Sequence, residues 1–134
     1  MQLMLIIAIA VHVTSAVFWA GTTFTLARTG GTRGEFLFKP QMGAATVAVL
    51  SGAWLWSLAH RGQFGATEKV LALGILCAFI AVGVQGAVGG KAVRQLAHNE
   101  LAEAPARAKI AFAQRTAAAL LLVTVLCMAI SRYV

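Results

Sequence analysis

Four apolar stretches, each long enough to cross a lipid bilayer, constrain this chain more than any other feature of its sequence. These stretches cover residues 2–27, 40–60, 67–90 and 109–131, with ends that are approximate to about two residues. A membrane-spanning helix needs about 20 mostly apolar residues. Of the 134 residues, 60% are hydrophobic and only 11% are charged, whereas soluble domains carry about 25% charged residues. The sequence therefore predicts an all-α integral membrane protein with a single domain.

The segments between these stretches are short, and several contain turn or helix-start signals. The glycine-rich segment 29–34 is predicted to form a flexible turn. Pro40 is predicted to open the second helix, where a missing amide hydrogen costs nothing. Glu68 favours the start of the third helix through the helix dipole, and the polar segment 91–107 is predicted to form a helical or irregular exposed loop. Short connections join antiparallel neighbours, so we expect a four-helix up-down antiparallel bundle.

The distribution of basic residues predicts the orientation of this bundle in the membrane. The net charge is +7, but the basic residues lie at the ends of apolar stretches, which indicates contact with lipid headgroups rather than with nucleic acid. The first and third connections hold Arg28, Arg33, Lys39, Lys91, Arg94, Arg107 and Lys109; the second connection and the C-terminus hold Arg61, Lys69 and Arg132. Cytoplasmic loops carry the excess of Lys and Arg. Both termini are therefore predicted to face the periplasm, or outside, of a bacterial-type inner (plasma) membrane.

His12 is the first candidate for a functional residue. It lies in a stretch, Met1 to Leu26, that contains no charged side chain. An imidazole is costly in hydrocarbon, so an intramembrane histidine is a functional-site hypothesis. Ser15 and Trp19 share its helix face at three- and four-residue spacing, and this polar and aromatic face should point into the bundle. The alternative is a core histidine hydrogen-bonded to a hydroxyl or carbonyl; we favour a ligand or proton-relay role.

Lys69 is a candidate partner for His12, because it opens the third stretch on the side of the membrane toward which His12 lies. It is predicted either to act as a second ligand or charge partner, or to extend to the lipid headgroups. His60 is predicted to lie at the membrane interface and His98 in a solvated loop. The sequence therefore predicts no second histidine at the depth of His12.

Arg28 and Arg115 form a second candidate pair. Arg28 closes the first stretch, and Arg115 lies inside the fourth. Two guanidinium groups at one level would suit a ligand that carries carboxylates, such as a haem propionate. The alternative is that both side chains extend to the headgroups, and for Arg28 alone this is the simpler interpretation.

Several other chemistries have no support in the sequence. There is no Ser/His/Asp arrangement, no phosphate-binding loop and no pair of carboxylates within an apolar stretch. Cys77 and Cys127 lie in different apolar stretches, and their spacing is not that of metal ligands. They are therefore predicted to be buried core residues.

Three segments resemble known membrane proteins. The segment HVTSAVFWAG at 12–21 resembles the first helix of the HemJ-type protoporphyrinogen oxidases and is similar to the opening helix of the CopD-type membrane domain. The segment from Pro40, with the WLW motif at 54–56, resembles their second helix, and the segment KVLAL at 69–73 resembles the start of their third. The resemblance implies that haem b is bound, with His12 as an axial ligand and Lys69 as a candidate second ligand.

Three hypotheses about function follow. The first is a haem-b membrane redox protein that oxidises protoporphyrinogen IX, in which Trp19 contacts the cofactor and Arg28 or Arg115 pairs with its propionates. The second is a CopD-like copper or small-solute transport protein with a metal or proton site at His12. The third is a non-catalytic accessory subunit. The sequence leaves open a homodimer or a larger membrane complex, and a porphyrin or a quinone as the small-molecule partner.

Overall fold

The chain forms four long apolar helices packed antiparallel, which confirms the predicted all-α bundle. The computed structural model describes residues 1–62 and 64–134. Its helices are α1 (Gln2–Arg28), α2 (Gly34–Ala59), α3 (Ala66–Val84), α4 (Gly90–Ala97) and α5 (Glu103–Ser131). A π-helical turn, Gln85–Gly89, joins α3 to α4, so that these form one continuous rod from Ala66 to Ala97. The chain is thus a multi-pass membrane protein with four candidate spans.

Two helices begin earlier than the sequence predicted. The second begins at Gly34, so Pro40 lies within α2 instead of opening it. Gly30 and Gly31 have positive φ angles of 67° and 81°, which glycine adopts without strain, and the chain has therefore already reversed before Gly34. The connection predicted over 91–107 is mostly helical, because α4 continues the third span and α5 begins at Glu103.

Small residues bring the helices together, as packing in lipid requires. The central core contains one large aromatic ring, that of Trp19, surrounded mainly by alanines such as Ala45, Ala81 and Ala117. At Gly74 an added Cβ would lie 3.0 Å from the Cβ of Cys127. Both cysteines are buried, as predicted. Large apolar side chains instead cover the outer surface of the bundle, where lipid tails would surround them.

The four spans are not packed equally closely. α1 packs mainly against α2 and α5, and α3 packs mainly against α5, whereas α2 and α3 hardly touch. We call the end of the bundle with both chain termini and the α2–α3 connection the terminal end, and the other the loop end. The separation of α2 from α3 leaves room for a cavity.

An ion pair at the loop end ties α5 to the start of α2. The Arg107 guanidinium donates two hydrogen bonds to the Glu35 carboxylate, one of them 2.8 Å long, and a third, of 3.0 Å, to the carbonyl oxygen of Gly31. Paired hydrogen bonds between a guanidinium and a carboxylate are stronger than single ones. Glu103 lies 3.7 Å from the same guanidinium, but its side chain is 76% exposed.

Glu35→Gln should lower the free energy of unfolding by about 1–2 kcal/mol, because it removes a charged acceptor of two hydrogen bonds from a partly buried arginine. Thermal unfolding in detergent micelles measures the loss. Glu103→Gln is the matched control, and it should change stability by no more than about 0.5 kcal/mol, since that pair is long and exposed. Equal losses in the two variants would contradict the bidentate pair as the stabilising contact.

Candidate functional site

A cavity of about 540 Å³ lies between α1, α2, α3 and α5 in the half of the bundle nearer the terminal end. Its walls are almost entirely apolar. The polar side chains among its lining residues are His12, Trp19, Trp56, His60 and Thr124. Cofactor and ligand sites occupy about 300–1,000 Å³ and combine apolar walls with a few polar groups. The cavity thus has the size and character of a site for a lipophilic ligand.

The hydrogen bonds of His12 fix which of its ring nitrogens carries the proton. Nδ1 lies 2.8 Å from the carbonyl oxygen of Ala48 and 3.2 Å from the hydroxyl of Ser51. A carbonyl oxygen only accepts, so Nδ1 must donate its proton to it. Within residues 1–62 and 64–134, Nε2 forms no hydrogen bond, so in the neutral ring it carries a free lone pair. Metal-binding histidines are commonly held in this way, with the other nitrogen donating to a carbonyl or carboxylate.

Gly52 allows the imidazole to lie against α2. A Cβ added at this position would be 3.0 Å from Cε1 of His12 and 3.3 Å from Nδ1, closer than nonbonded carbon atoms ordinarily approach. Further small residues, Ala16, Ala20 and Ala53, line the cavity beside it. Together they leave space in front of the ring that larger side chains would fill.

A buried network of five polar side chains adjoins the cavity through Trp19. Trp19, which lines the cavity, donates from its indole nitrogen to Oε1 of Gln85 at 2.7 Å. The Gln85 amide donates to the Thr23 hydroxyl at 2.8 Å and to Oε1 of Gln114 at 3.0 Å. Gln41 and Gln114 complete the network, which links all four spans.

Gln41 and Gln114 are joined by two reciprocal hydrogen bonds between their side-chain amides. The Gln41 amide donates to Oε1 of Gln114 at 2.9 Å and to Thr23 at 3.1 Å, and the Gln114 amide donates to Oε1 of Gln41 at 3.1 Å. Gln85 opens the π-helical turn, a local widening often found at functional sites. None of these side chains titrates, so the network's chemical role is to fix the positions of the helices and of Trp19.

The structure brings only some of the predicted site residues together. His12 and Trp19 line one cavity. Lys69 is exposed at the start of α3 and does not line it, and Arg28 and Arg115 are exposed near the loop end. Arg115 donates to the carbonyl oxygen of Ala27 at 3.3 Å, so it caps the end of α1. The ligand roles of Lys69, Arg28 and Arg115 stay predictions.

His60 and the buried glutamines were not among the site residues predicted from the sequence. His60 was expected at the interface, yet it lines the same cavity as His12. Gln41 and Gln85 interrupt apolar stretches, which was a signal that they face the bundle interior. Among the described residues, no three His, Cys, Asp or Glu side chains form a group that could hold a metal ion.

Comparison of the chain with protein-family models, with curated proteins and with solved structures finds no match.

Proposed function

We propose that this chain is a membrane haem protein in which His12 ligates the iron of haem b inside the cavity. The observation that supports this most directly is the hydrogen bond from Nδ1 of His12 to the carbonyl oxygen of Ala48, 2.8 Å long. It holds the imidazole in the tautomer whose Nε2 can bind a metal, and it makes that nitrogen a stronger ligand. The ring belongs to the wall of a cavity of about 540 Å³.

The other residues of the cavity fit a flat apolar macrocycle. Ala16, Ala20 and Gly52 take little space beside His12, and Trp19 supplies a large aromatic surface held by Gln85. The apolar walls would lower the dielectric constant around a bound cofactor and so tune its potential. When bound, haem supplies one-electron redox chemistry.

The resemblance of residues 12–21 to the HemJ-type first helix extends the proposal to an oxidoreductase that acts on a porphyrin. A porphyrin would reach the cavity from the bilayer through the space between α2 and α3, which hardly touch. The basic residues at the loop end would lie in the cytoplasm, and the cavity would then lie in the outer half of the membrane.

Absorption spectroscopy of the detergent-purified protein tests the proposal. Wild-type protein titrated with haemin should bind one equivalent and develop a Soret band. His12→Ala should lose this band, because it removes the lone pair of Nε2 that binds iron. His98→Ala is the control, since His98 is exposed in the α4–α5 connection, and it should bind haemin like the wild type. A Soret band that persists unchanged in His12→Ala would contradict the proposal, and stoichiometric copper binding without a Soret band would favour transport.

A further inference from the structure

We infer that Arg28 and Arg115 bind the phosphate group of an anionic phospholipid on the outer surface of the bundle, where the end of α1 meets α5. Both arginines are exposed near the loop end and neither lines the cavity. Trp19 lines the cavity and precedes Arg28 by nine residues on α1, which is about 14 Å along the helix axis. The two arginines therefore lie outside the proposed haem site, and their ligand is a different molecule.

Arg115 is the charged member of an exposed and otherwise uncharged face of α5. Residues at three- and four-residue spacing share one face of a helix, and this face would be in contact with lipid. Its exposed residues are Ala108, Phe112, Arg115, Ala119, Leu122 and Leu126. A guanidinium in contact with lipid is costly unless it has a partner. The partner of Arg115 should therefore be found on this outer surface.

A carbonyl group at the end of α1 holds Arg115 through one of its three nitrogens. The Nε of Arg115 donates a hydrogen bond of 3.3 Å to the carbonyl oxygen of Ala27. The last carbonyls of a helix lack partners within it and carry partial negative charge. The amide of Gly31, four residues after Ala27, donates to Leu26 instead. Nη1 and Nη2 of Arg115 form no hydrogen bond with the residues that the structure describes, so both can donate to a ligand.

Arg28 is close enough to share a ligand with Arg115. It follows Ala27 directly, and the Cα of a residue lies about 2.8 Å from the preceding carbonyl oxygen in a planar trans peptide. Because Nε of Arg115 is 3.3 Å from that oxygen, the Cα of Arg28 lies at most about 6 Å from this nitrogen. Both side chains are long and exposed. Their guanidinium groups can therefore contact one phosphate group together.

Two guanidinium groups without a carboxylate partner favour a phosphodiester with a net negative charge. In the described part of the chain, no carboxylate oxygen lies within 4.0 Å of either arginine, and Glu35 pairs with Arg107 instead. Guanidinium groups form paired hydrogen bonds with phosphate oxygens. A zwitterionic lipid would bring an ammonium group to a place that offers it no carboxylate, whereas phosphatidylglycerol would not. Its acyl chains would extend along the exposed face of α5 toward the middle of the membrane.

Titration of the detergent-purified protein with two matched lipids tests this inference. Dioleoylphosphatidylglycerol and dioleoylphosphatidylcholine have the same acyl chains, and native mass spectrometry counts the lipids bound to each protein molecule. The wild type should bind one phosphatidylglycerol about tenfold more tightly than phosphatidylcholine, as expected for charge-assisted hydrogen bonds. Arg28→Gln and Arg115→Gln should each weaken phosphatidylglycerol binding about tenfold, so that the preference is lost, and should leave haemin binding unchanged.

Lys91→Gln is the matched control, because it removes the same charge from an exposed residue of α4 at the same end of the bundle. It should change phosphatidylglycerol binding by less than about twofold, since exposed charges that do not contact the lipid are screened. Equal losses in all three variants would mean that the lipid responds only to overall charge, and would overturn the inference. Equal binding of the two lipids by the wild type would overturn it as well.

Three further results would assign the arginines to another partner. If glycerol phosphate, which lacks acyl chains, displaced phosphatidylglycerol at equal concentration, the site would bind a free phosphate and not a lipid. If the arginine variants weakened haemin and not phosphatidylglycerol, the arginines would hold the propionates. If the variants dissociated a dimer in the same mass spectra, they would contact a second copy of the chain. Should Arg115→Gln fail to fold, Arg28→Gln decides alone, because its side chain is exposed.

Discussion

Gly52→Leu should weaken haemin binding by about a hundredfold or more while leaving the His12 side chain present. A Cβ at position 52 would lie 3.0 Å from Cε1 of His12, and the ring cannot move away without losing its 2.8 Å hydrogen bond to Ala48. The remaining leucine atoms would extend into the space beside the ring. Loss of the hydrogen bond that supports a metal-binding histidine lowers metal affinity about 10–100-fold. The leucine side chain would also fill part of the cavity, which weakens binding further. Titration with haemin, followed by the Soret band, measures the loss.

Gly43→Leu is the matched control on the same helix. A Cβ at Gly43 meets no atom within 4 Å, and the residue is exposed on the outer surface of α2. This variant introduces the same side chain into the same helix, so it should bind haemin like the wild type. If Gly52→Leu also bound haemin like the wild type, the ligand would not lie against His12 and the cavity would have to be assigned to another molecule.

The fold could be predicted from the sequence because the membrane limits the available structures. Backbone groups in lipid must be hydrogen-bonded within the segment, so a long apolar stretch has to be a helix. The helix ends were harder to predict. Proline is common in the first turn of a helix, so Pro40 indicated that the second helix begins there. The chain has already reversed at Gly30 and Gly31, however, and α2 begins at Gly34. The polar composition of 91–107 predicted a helical or irregular exposed loop, and most of this segment is helical, because α4 extends the third span to Ala97 and α5 begins at Glu103.

The candidate site could be predicted only in part. His12 was predictable because a polar ring in an uncharged span must find partners inside the bundle, and it does so on α2. Lys69 and His60 lie near the same end, and the sequence favoured Lys69. Which of them reaches the cavity depends on the rotation of each helix about its axis, which packing between helices determines. His60 lines the cavity and Lys69 does not.

Gln114→Leu should lower the free energy of unfolding by about 2–4 kcal/mol, the largest loss of stability that we expect from one side chain. Its Oε1 accepts from the amides of Gln41 and Gln85 at 2.9 and 3.0 Å, and all three side chains are fully buried. Leucine has a similar size but no hydrogen-bond acceptor. The buried amide groups of Gln41 and Gln85 would therefore each lose the hydrogen bond that they donate to Gln114. Thermal unfolding in detergent should show a midpoint lower by on the order of 10 °C.

Gln95→Leu is the control, because Gln95 is a partly buried glutamine whose Oε1 has no partner in the described part of the chain. Leucine removes that unpaired atom, so stability should stay the same or rise. The double variant Gln41→Leu with Gln114→Leu tests the network itself. It removes both members of the reciprocal amide pair, so its loss should be smaller than the sum of the two single losses by about 1 kcal/mol or more. Strictly additive losses would mean that the glutamines stabilise the bundle independently and do not act as one network.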